Sequence, residues 1–249
     1  MSGRTGDRPG LATVRGRDLM RAADPLVLLA HGSPDPRHGA TMHRLAARVA
    51  GRTGGPVRAA FLEHEGPSAT EVGAGLTGWV RMVPLLITPA YHARVDVPEA
   101  AVQLAAGGAD VSVAPPLGGH PGLVRAVADR LERSGHDPRR GVHLVAGGNS
   151  DGTAALALTQ LLAAHAPQSW RGSALTDPGL DRAGGNVGGA RAAALPVMAF
   201  TLAEGVLHDR AAAWARRRGA PFVPGGLADT EALLDVVLDR AGVLAPVAG

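Results

Sequence analysis

Short apolar runs alternate with amphipathic stretches along the whole chain. In the first half these runs cover residues 26–30, 57–62, 82–88 and 110–114. Continuous apolar runs of this length are typical of parallel strands that are buried on both faces. Glycine, proline and polar residues follow each run, so each strand is predicted to end in a loop there.

Helices are predicted between the strands. Met42, Leu45 and Val49 lie at helical spacing after the first strand. Ser68 and Glu71 have the spacing of a capping box, which predicts the start of a second helix. Further helices are predicted at 98–106 and around 123–131. Strands that alternate with helices predict right-handed crossovers and a parallel sheet.

The second half repeats this pattern at offsets of about 110 to 116 residues. The segment 142–150 resembles 27–33, and the segment around Pro196 resembles the one around Pro84. The segment 224–227 likewise resembles 115–117, and Asp239-Arg240 resembles Asp129-Arg130. Four such matches in the same order indicate duplication of one unit. The predicted fold class is α/β, with two tandem Rossmann-like or flavodoxin-like lobes, each a four-stranded parallel sheet flanked by helices. The predicted domains are 25–136 and 137–249, after a disordered leader at 1–24.

Composition narrows the function classes. The chain has 249 residues, no cysteine and a formal net charge of +3. Thiolate metal sites and cysteine nucleophiles are therefore excluded. Aromatic residues make up 3% of the chain, which disfavours a nucleic-acid platform. No apolar run is long enough for a membrane span, and the first 24 residues lack a signal-peptide core, so a cytoplasmic location is predicted.

Three side chains stand at or just after the ends of predicted strands: His31, Glu63 and His92. In a flavodoxin-type strand order, 2-1-3-4, the first and third strands are neighbours, and ligands bind where the order reverses. This places both imidazoles in one crevice beside a carboxylate. Such groups are suitable ligands for a divalent Fe, Co, Ni or Zn ion. The competing interpretation is that each residue only satisfies loop backbone.

Other patterns suggest different chemistry. Gly148 to Gly152 match the Gly-x-Ser-x-Gly motif of a serine hydrolase with Ser150 as nucleophile, although Ser150 would serve equally well as a helix cap. Arg37-His38-Gly39 matches the core of histidine phosphatases, but its position at a helix start does not fit them.

His120 is expected to cap the helix that follows it. The glycine-rich segment 177–190 is predicted to be a loop.

The first half resembles the class II chelatases of the sirohydrochlorin ferrochelatase and cobaltochelatase type. The residues that carry the resemblance lie in 29–37, 60–63, 83–98 and 116–121, and they include His31-Gly32-Ser33 and the His92-x-x-x-Asp96-Val97-Pro98 motif. The resemblance implies insertion of Fe²⁺, Co²⁺ or Ni²⁺ into sirohydrochlorin, for siroheme or cobalamin. The metal is then a substrate, and no organic cofactor is expected.

The resemblance also implies roles for single residues. His31 and His92 face the metal, and Glu63 assists metal binding or proton removal. Arg94, Arg37 and Ser33 are candidate contacts for the carboxylates of the tetrapyrrole. No nucleic-acid or membrane partner is expected, and a monomer would suffice, although an oligomer stays open. A non-catalytic metal- or tetrapyrrole-binding protein is the remaining alternative.

The second half lacks the proposed ligands. Gly147 takes the place of His31, and Thr176 takes the place of Glu63, while Gly205 falls near the place of His92. The second lobe is therefore expected to form a wall of the cleft without a metal site of its own.

Overall fold

A computed structural model of the chain describes residues 24–88, 95–147, 152–176 and 194–243. In the first half, strands and helices alternate as β1 (Leu26–Ala30), α1 (Pro36–Thr53), β2 (Val57–Phe61), α2 (Ala69–Gly73), β3 (Gly78–Pro84), α3 (Asp96–Ala105), β4 (Ala109–Val113) and α4 (Gly122–Arg133). The second half contains β5 (His143–Ala146), α5 (Thr153–His165), β6 (Arg171–Ala174), β7 (Val197–Phe200), α6 (Val206–Arg217), β8 (Phe222–Val223) and α7 (Glu231–Ala241).

The strands form two parallel four-stranded sheets with the same topology. Their orders are β2-β1-β3-β4 and β6-β5-β7-β8. The prediction of two α/β lobes, each with the order 2-1-3-4, is therefore confirmed. In each sheet the order reverses between the first and third strands, and this is where open α/β sheets bind ligands.

Side chains of β1 alternate between two clusters of buried residues. Leu26, Leu28 and Ala30 belong to one cluster, and Val27 and Leu29 belong to the other. The first cluster is shared by both lobes, since it also contains side chains of α4, β5, β7 and α7. One continuous core therefore joins the two sheets. The proposed domain boundary near residue 136 stays a prediction.

Two local predictions about helix starts are confirmed. Ser68 Oγ accepts a hydrogen bond from the Glu71 amide, and the Glu71 carboxylate accepts one from the Ser68 amide, which completes the capping box of α2. His120 Nδ1 accepts a hydrogen bond from the Gly122 amide at the start of α4, with the donor and acceptor 3.0 Å apart. His120 Nε2 lies 3.1 Å from Asp239 of α7. His120 therefore joins the lobes as well as capping a helix.

The third strand begins earlier than predicted. It covers Gly78–Pro84 instead of 82–88, and it includes Arg81. A charged residue such as Arg81 is not expected inside a buried strand, so the sequence predicted that the strand begins after it. In the folded sheet its guanidinium donates to Ser112 Oγ at 2.7 Å, which allows the strand to include it. The register also corrects the match between the halves, because Val27 pairs with Met82 and His143 pairs with Val197. The match of Pro84 with Pro196 is therefore wrong by three residues.

No helix in the described ranges is long and apolar enough to cross a membrane. The predicted leader, and the loop at 177–190, lie outside the described residues.

Candidate active site

The loop after β1 begins with His31 and leads into α1. Its backbone is held against the segment that follows β2, since the Glu63 amide donates to the His31 carbonyl oxygen at 2.9 Å. Between them, Gly32 has a φ of +99°, and a Cβ at this position would overlap the Glu63 carbonyl oxygen. Glycine is therefore required here by both conformation and space.

This close approach brings the first two predicted ligands together. His31 Nδ1 lies 3.2 Å from Glu63 Oε1, and both side chains are partly exposed. His64 Nε2 lies 3.5 Å from the same oxygen, Glu63 Oε1. His92 and Arg94 lie outside the described residues. Within the described ranges, no group of three or more His, Asp or Glu side chains is placed to hold a metal ion.

A cavity of about 360 Å³ opens beside His31, between the two lobes. The N-terminal lobe contributes the start of α1 and the segment after β3, and the C-terminal lobe contributes the segment from the end of β7 to the start of α6. The lining side chains and backbone include His31, Ser33, His38, Leu86, Thr88, Gly147, Phe200, Glu204, Gly205, Leu207 and His208. The second lobe therefore forms one wall of the cleft.

The C-terminal lobe places an apolar side chain where the N-terminal lobe has an imidazole. Gly147 follows β5 just as His31 follows β1. A Cβ on Gly147 would lie 2.7 Å from Leu207 Cδ1, so Leu207 fills the space beside this position. Likewise, the Leu175 amide donates to the Ala146 carbonyl as the Leu62 amide does to Ala30, which makes Thr176 the equivalent of Glu63.

Glu65 organises the loop after β1, and sequence reasoning missed it. Its Oε2 accepts a hydrogen bond from the Ser33 amide at 3.2 Å, and its Oε1 accepts one from the Gly39 amide at 2.6 Å. His38 Nδ1 lies 2.6 Å from Oε2. A Cβ on Gly39 would overlap Oε1, so glycine permits this approach. The carboxylate satisfies amides at the start of α1, where negative charge is favourable.

Arg37, a candidate for binding substrate carboxylates, is engaged by carboxylates of the protein. Its Nη2 lies 2.6 Å from Asp35 Oδ2 and 2.6 Å from Asp209 Oδ2 at the start of α6. The hydrogen bonds from Arg37 lower the pKa of Asp35 to about 2 and hold the pKa of Asp209 below its usual value. Contact with a substrate carboxylate would require these ion pairs to exchange. Ser33 lines the cavity, and its Oγ accepts a hydrogen bond from the Asp35 amide.

These depressed pKa values predict how stability depends on pH. A carboxyl group with a lowered pKa stabilises the fold above its ordinary pKa, near 3.8, and loses that contribution as the pH falls towards 2. We therefore expect Arg37→Gln to lower the melting temperature at pH 7 but to have little effect near pH 2. Thermal unfolding from pH 7 to pH 2 measures this, with Arg125→Gln on the exposed face of α4 as the control. A melting-temperature difference that is constant over this range would contradict the assignment.

Residues 25–134 match the model of the CbiX family. No curated protein matches the sequence. Among solved structures, SirB from Bacillus subtilis with Fe³⁺ superposes with a TM-score of 0.69 at 20% identity, covering 88% of this chain and 94% of that one. The sirohydrochlorin chelatase SirB from Bacillus subtilis subspecies spizizenii, in complex with cobalt, gives 0.66 at 17% identity over 88% and 94%.

A third structure is CbiX, described as the terminal enzyme for biosynthesis of siroheme in denitrifying bacteria. It gives a TM-score of 0.63 at 18% identity, over 90% of this chain and all of that one. At these identities the structural likenesses show the fold alone, and they do so over both lobes. The family model adds a match at the level of sequence, and this match covers the lobe that carries His31 and Glu63. The similarity to the CbiX family is therefore confined to the N-terminal lobe.

Proposed function

We propose that this protein inserts Fe²⁺ or Co²⁺ into sirohydrochlorin, as the resemblance in the sequence predicts. The proposal is supported by the CbiX match of the N-terminal lobe and by the likeness to SirB structures that contain Fe³⁺ or cobalt. The metal is a substrate of this reaction, and the tetrapyrrole is the second substrate.

The observation that carries the proposal is the pair formed by His31 and Glu63. The two side chains meet at the carboxyl ends of β1 and β2, and His31 lines the cavity between the lobes. A histidine that donates Nδ1–H to a carboxylate keeps the lone pair on Nε2 for a metal ion. The carboxylate then fixes the orientation of the ring and offsets the charge of the incoming ion.

These residue types match the chemistry of metal insertion. Two pyrrole N–H protons must leave while a partly desolvated divalent ion enters the macrocycle. Imidazole binds the ion through a neutral nitrogen, and it can also exchange protons near pH 7. The ion must be released to the substrate, so an open site with few protein ligands suits the reaction better than a closed cage. We propose Glu63 as an acceptor for one of the protons.

His92 completes this proposed site on the strength of the His92-x-x-x-Asp96-Val97-Pro98 motif. Thr88 precedes it by four residues and lines the cavity together with His31. Arg94 lies in the same segment of sequence, and we propose that it contacts substrate carboxylates together with Arg37 and Ser33.

Serine hydrolysis is not favoured by the described residues. In hydrolases with this motif, the nucleophilic serine is followed along the chain by an acidic residue and then by a histidine base. After Ser150 and Asp177 or Asp181, that histidine would be His208. Its Nε2 accepts a hydrogen bond from the Gly225 amide at 3.2 Å, and its Nδ1 lies 3.1 Å from Asp209. Both ring nitrogens are therefore engaged. Ser150 lies outside the described residues.

An insertion assay tests the proposed function and separates an enzyme from a storage protein. Purified protein is mixed with sirohydrochlorin and Co²⁺ or Fe²⁺ without oxygen, and the absorption spectrum is followed. We expect insertion to be faster than in buffer, with repeated turnover at substoichiometric protein. A rate equal to that in buffer would refute the chelatase proposal, and a single stoichiometric burst would support the binding protein instead.

A cytoplasmic location and the sufficiency of a monomer stay predictions. Both lobes that line the proposed cleft come from one chain, which supports the prediction that a monomer is sufficient.

A further inference from the structure

His38 stands in the first turn of α1 and lines the same cavity as His31. Its ring is only 18% exposed and packs edge-on against Phe61, with the ring centroids 6.2 Å apart. The imidazole is therefore held in place at the wall of the cleft.

Glu65 determines which nitrogen of His38 carries the proton. The Glu65 carboxylate already accepts hydrogen bonds from the Ser33 and Gly39 amides, and it is 12% exposed. An ionised carboxylate can only accept, so the short 2.6 Å contact requires that His38 Nδ1 donates. In a neutral imidazole the other nitrogen, Nε2, then has a free lone pair.

The remaining nitrogen is accessible. His38 Nε2 forms no hydrogen bond with any residue in the described ranges, and it is not one of the enclosed polar atoms without a partner. Nε2 is therefore not enclosed by protein, and the ring that carries it lines the cavity. The charged and titratable groups around this ring are Glu65 after β2, Asp35 and Arg37 at the start of α1, His31 after β1, and Glu204 and His208 across the cavity.

We propose that His38 is a second proton acceptor for metal insertion, oriented by Glu65. This inference rests on the proposed chelatase function. A pyrrole N–H bond breaks, its proton moves to His38 Nε2, and the electron pair stays on the pyrrole nitrogen, which bonds to the metal ion. The imidazolium then releases the proton to solvent. The Glu65 carboxylate, which accepts the hydrogen bond from Nδ1–H, stabilises the positive charge on the ring. His31 and Glu63 are thereby left to the metal ion and the other proton.

One substitution separates this role from a structural one. In His38→Asn, the side-chain amide can still donate to Glu65, as Nδ1–H does, but the variant has no nitrogen in the place of Nε2. A purely structural role for His38 is therefore retained in His38→Asn, and the proton acceptor is lost. His38→Gln is the second variant, because its amide reaches further but does not accept a proton. His43→Asn is the matched control, since His43 lies on the exposed side of the same helix and does not line the cavity.

The experiment measures kcat, and KM for each substrate, in the Co²⁺ insertion assay, for variants whose melting temperatures match the wild type. General bases contribute about 10²-fold or more, so we expect kcat to fall about 10²-fold in His38→Asn and His38→Gln. KM for Co²⁺ should change by less than about twofold, because the metal site is untouched. If one of the two His38 variants does not fold, the kcat of the other tests the proposal.

A kcat equal to that of His43→Asn in either folded variant would overturn the inference. A rise in KM for Co²⁺ with unchanged kcat would also overturn it, by making His38 a metal ligand. Either result leaves the chelatase function standing, because the wild type would still be active. An inactive wild type would instead refute the proposed function itself.

Discussion

His31→Ala is expected to lower the rate of Co²⁺ insertion by more than about 10²-fold. Loss of a residue that only orients a metal ligand costs 10- to 100-fold, and a direct ligand should cost more. The remaining Glu63 carboxylate would also lose the ring that lies 3.2 Å from it. The insertion assay at saturating sirohydrochlorin measures the effect, with Co²⁺ binding measured in parallel.

The control for this variant is His136→Ala, which removes an imidazole from the loop after α4, away from the cavity. It should keep the wild-type rate. His92→Ala is expected to act like His31→Ala, and Ser150→Ala is expected to leave the rate intact. If His31→Ala kept a rate within about threefold of the control, His31 would not be a ligand. A loss of activity in Ser150→Ala alone would place the reaction in the second half.

Gly32→Ala is expected to damage both the fold and the site. A Cβ at residue 32 would overlap the Glu63 carbonyl oxygen, and the backbone has a φ of +99°. A non-glycine residue in such a conformation costs about 1–2 kcal/mol, and forced overlap adds about 1–3 kcal/mol. The free energy of unfolding should therefore fall by about 2–5 kcal/mol. Relief of the overlap would also separate His31 from Glu63, so insertion should slow sharply.

Gly54→Ala separates the cost of the positive φ from the cost of the overlap with Glu63. Gly54 ends α1 with a φ of +71°, but a Cβ there would have no neighbour within 4 Å. This control should lose only about 1–2 kcal/mol and keep its activity. Urea unfolding and the insertion assay measure both variants. Equal losses of stability, with full activity in Gly32→Ala, would show that the loop tolerates a side chain and that its contact with Glu63 is unimportant.

The parts of the structure that depend on local pattern could be predicted from the sequence. The apolar runs predicted β1, β2 and β4 closely, and the capping box of α2 is present as expected. The alternation of strands and helices predicted the parallel sheets, and the flavodoxin-type order 2-1-3-4 is present in both of them. The start of β3 was missed because Arg81 is polar in the sequence and finds its partner, Ser112, only in the folded sheet.

The surroundings of the site depend on contacts between distant residues, and these have no local signal. Arg37 looked like a free cation for a substrate carboxylate, whereas its partner Asp209 comes from the other lobe. Glu65 acts through amides more than twenty positions away, and only the glycine at residue 39 hints at its approach. His38 lies near the His31 loop in the sequence, but its hydrogen bond to Glu65, which determines which ring nitrogen carries the proton, is visible only in the folded structure.

The central claim is that one metal site exists, at the carboxyl ends of the N-terminal strands. The most direct test is a crystal of the protein soaked in Co²⁺, with the anomalous signal of cobalt used to locate the ion. The account predicts a peak about 2.0–2.2 Å from a ring nitrogen of His31, on the wall of the cavity that it lines. A peak beside Gly147 or His208 in the C-terminal lobe, with none at His31, would contradict it.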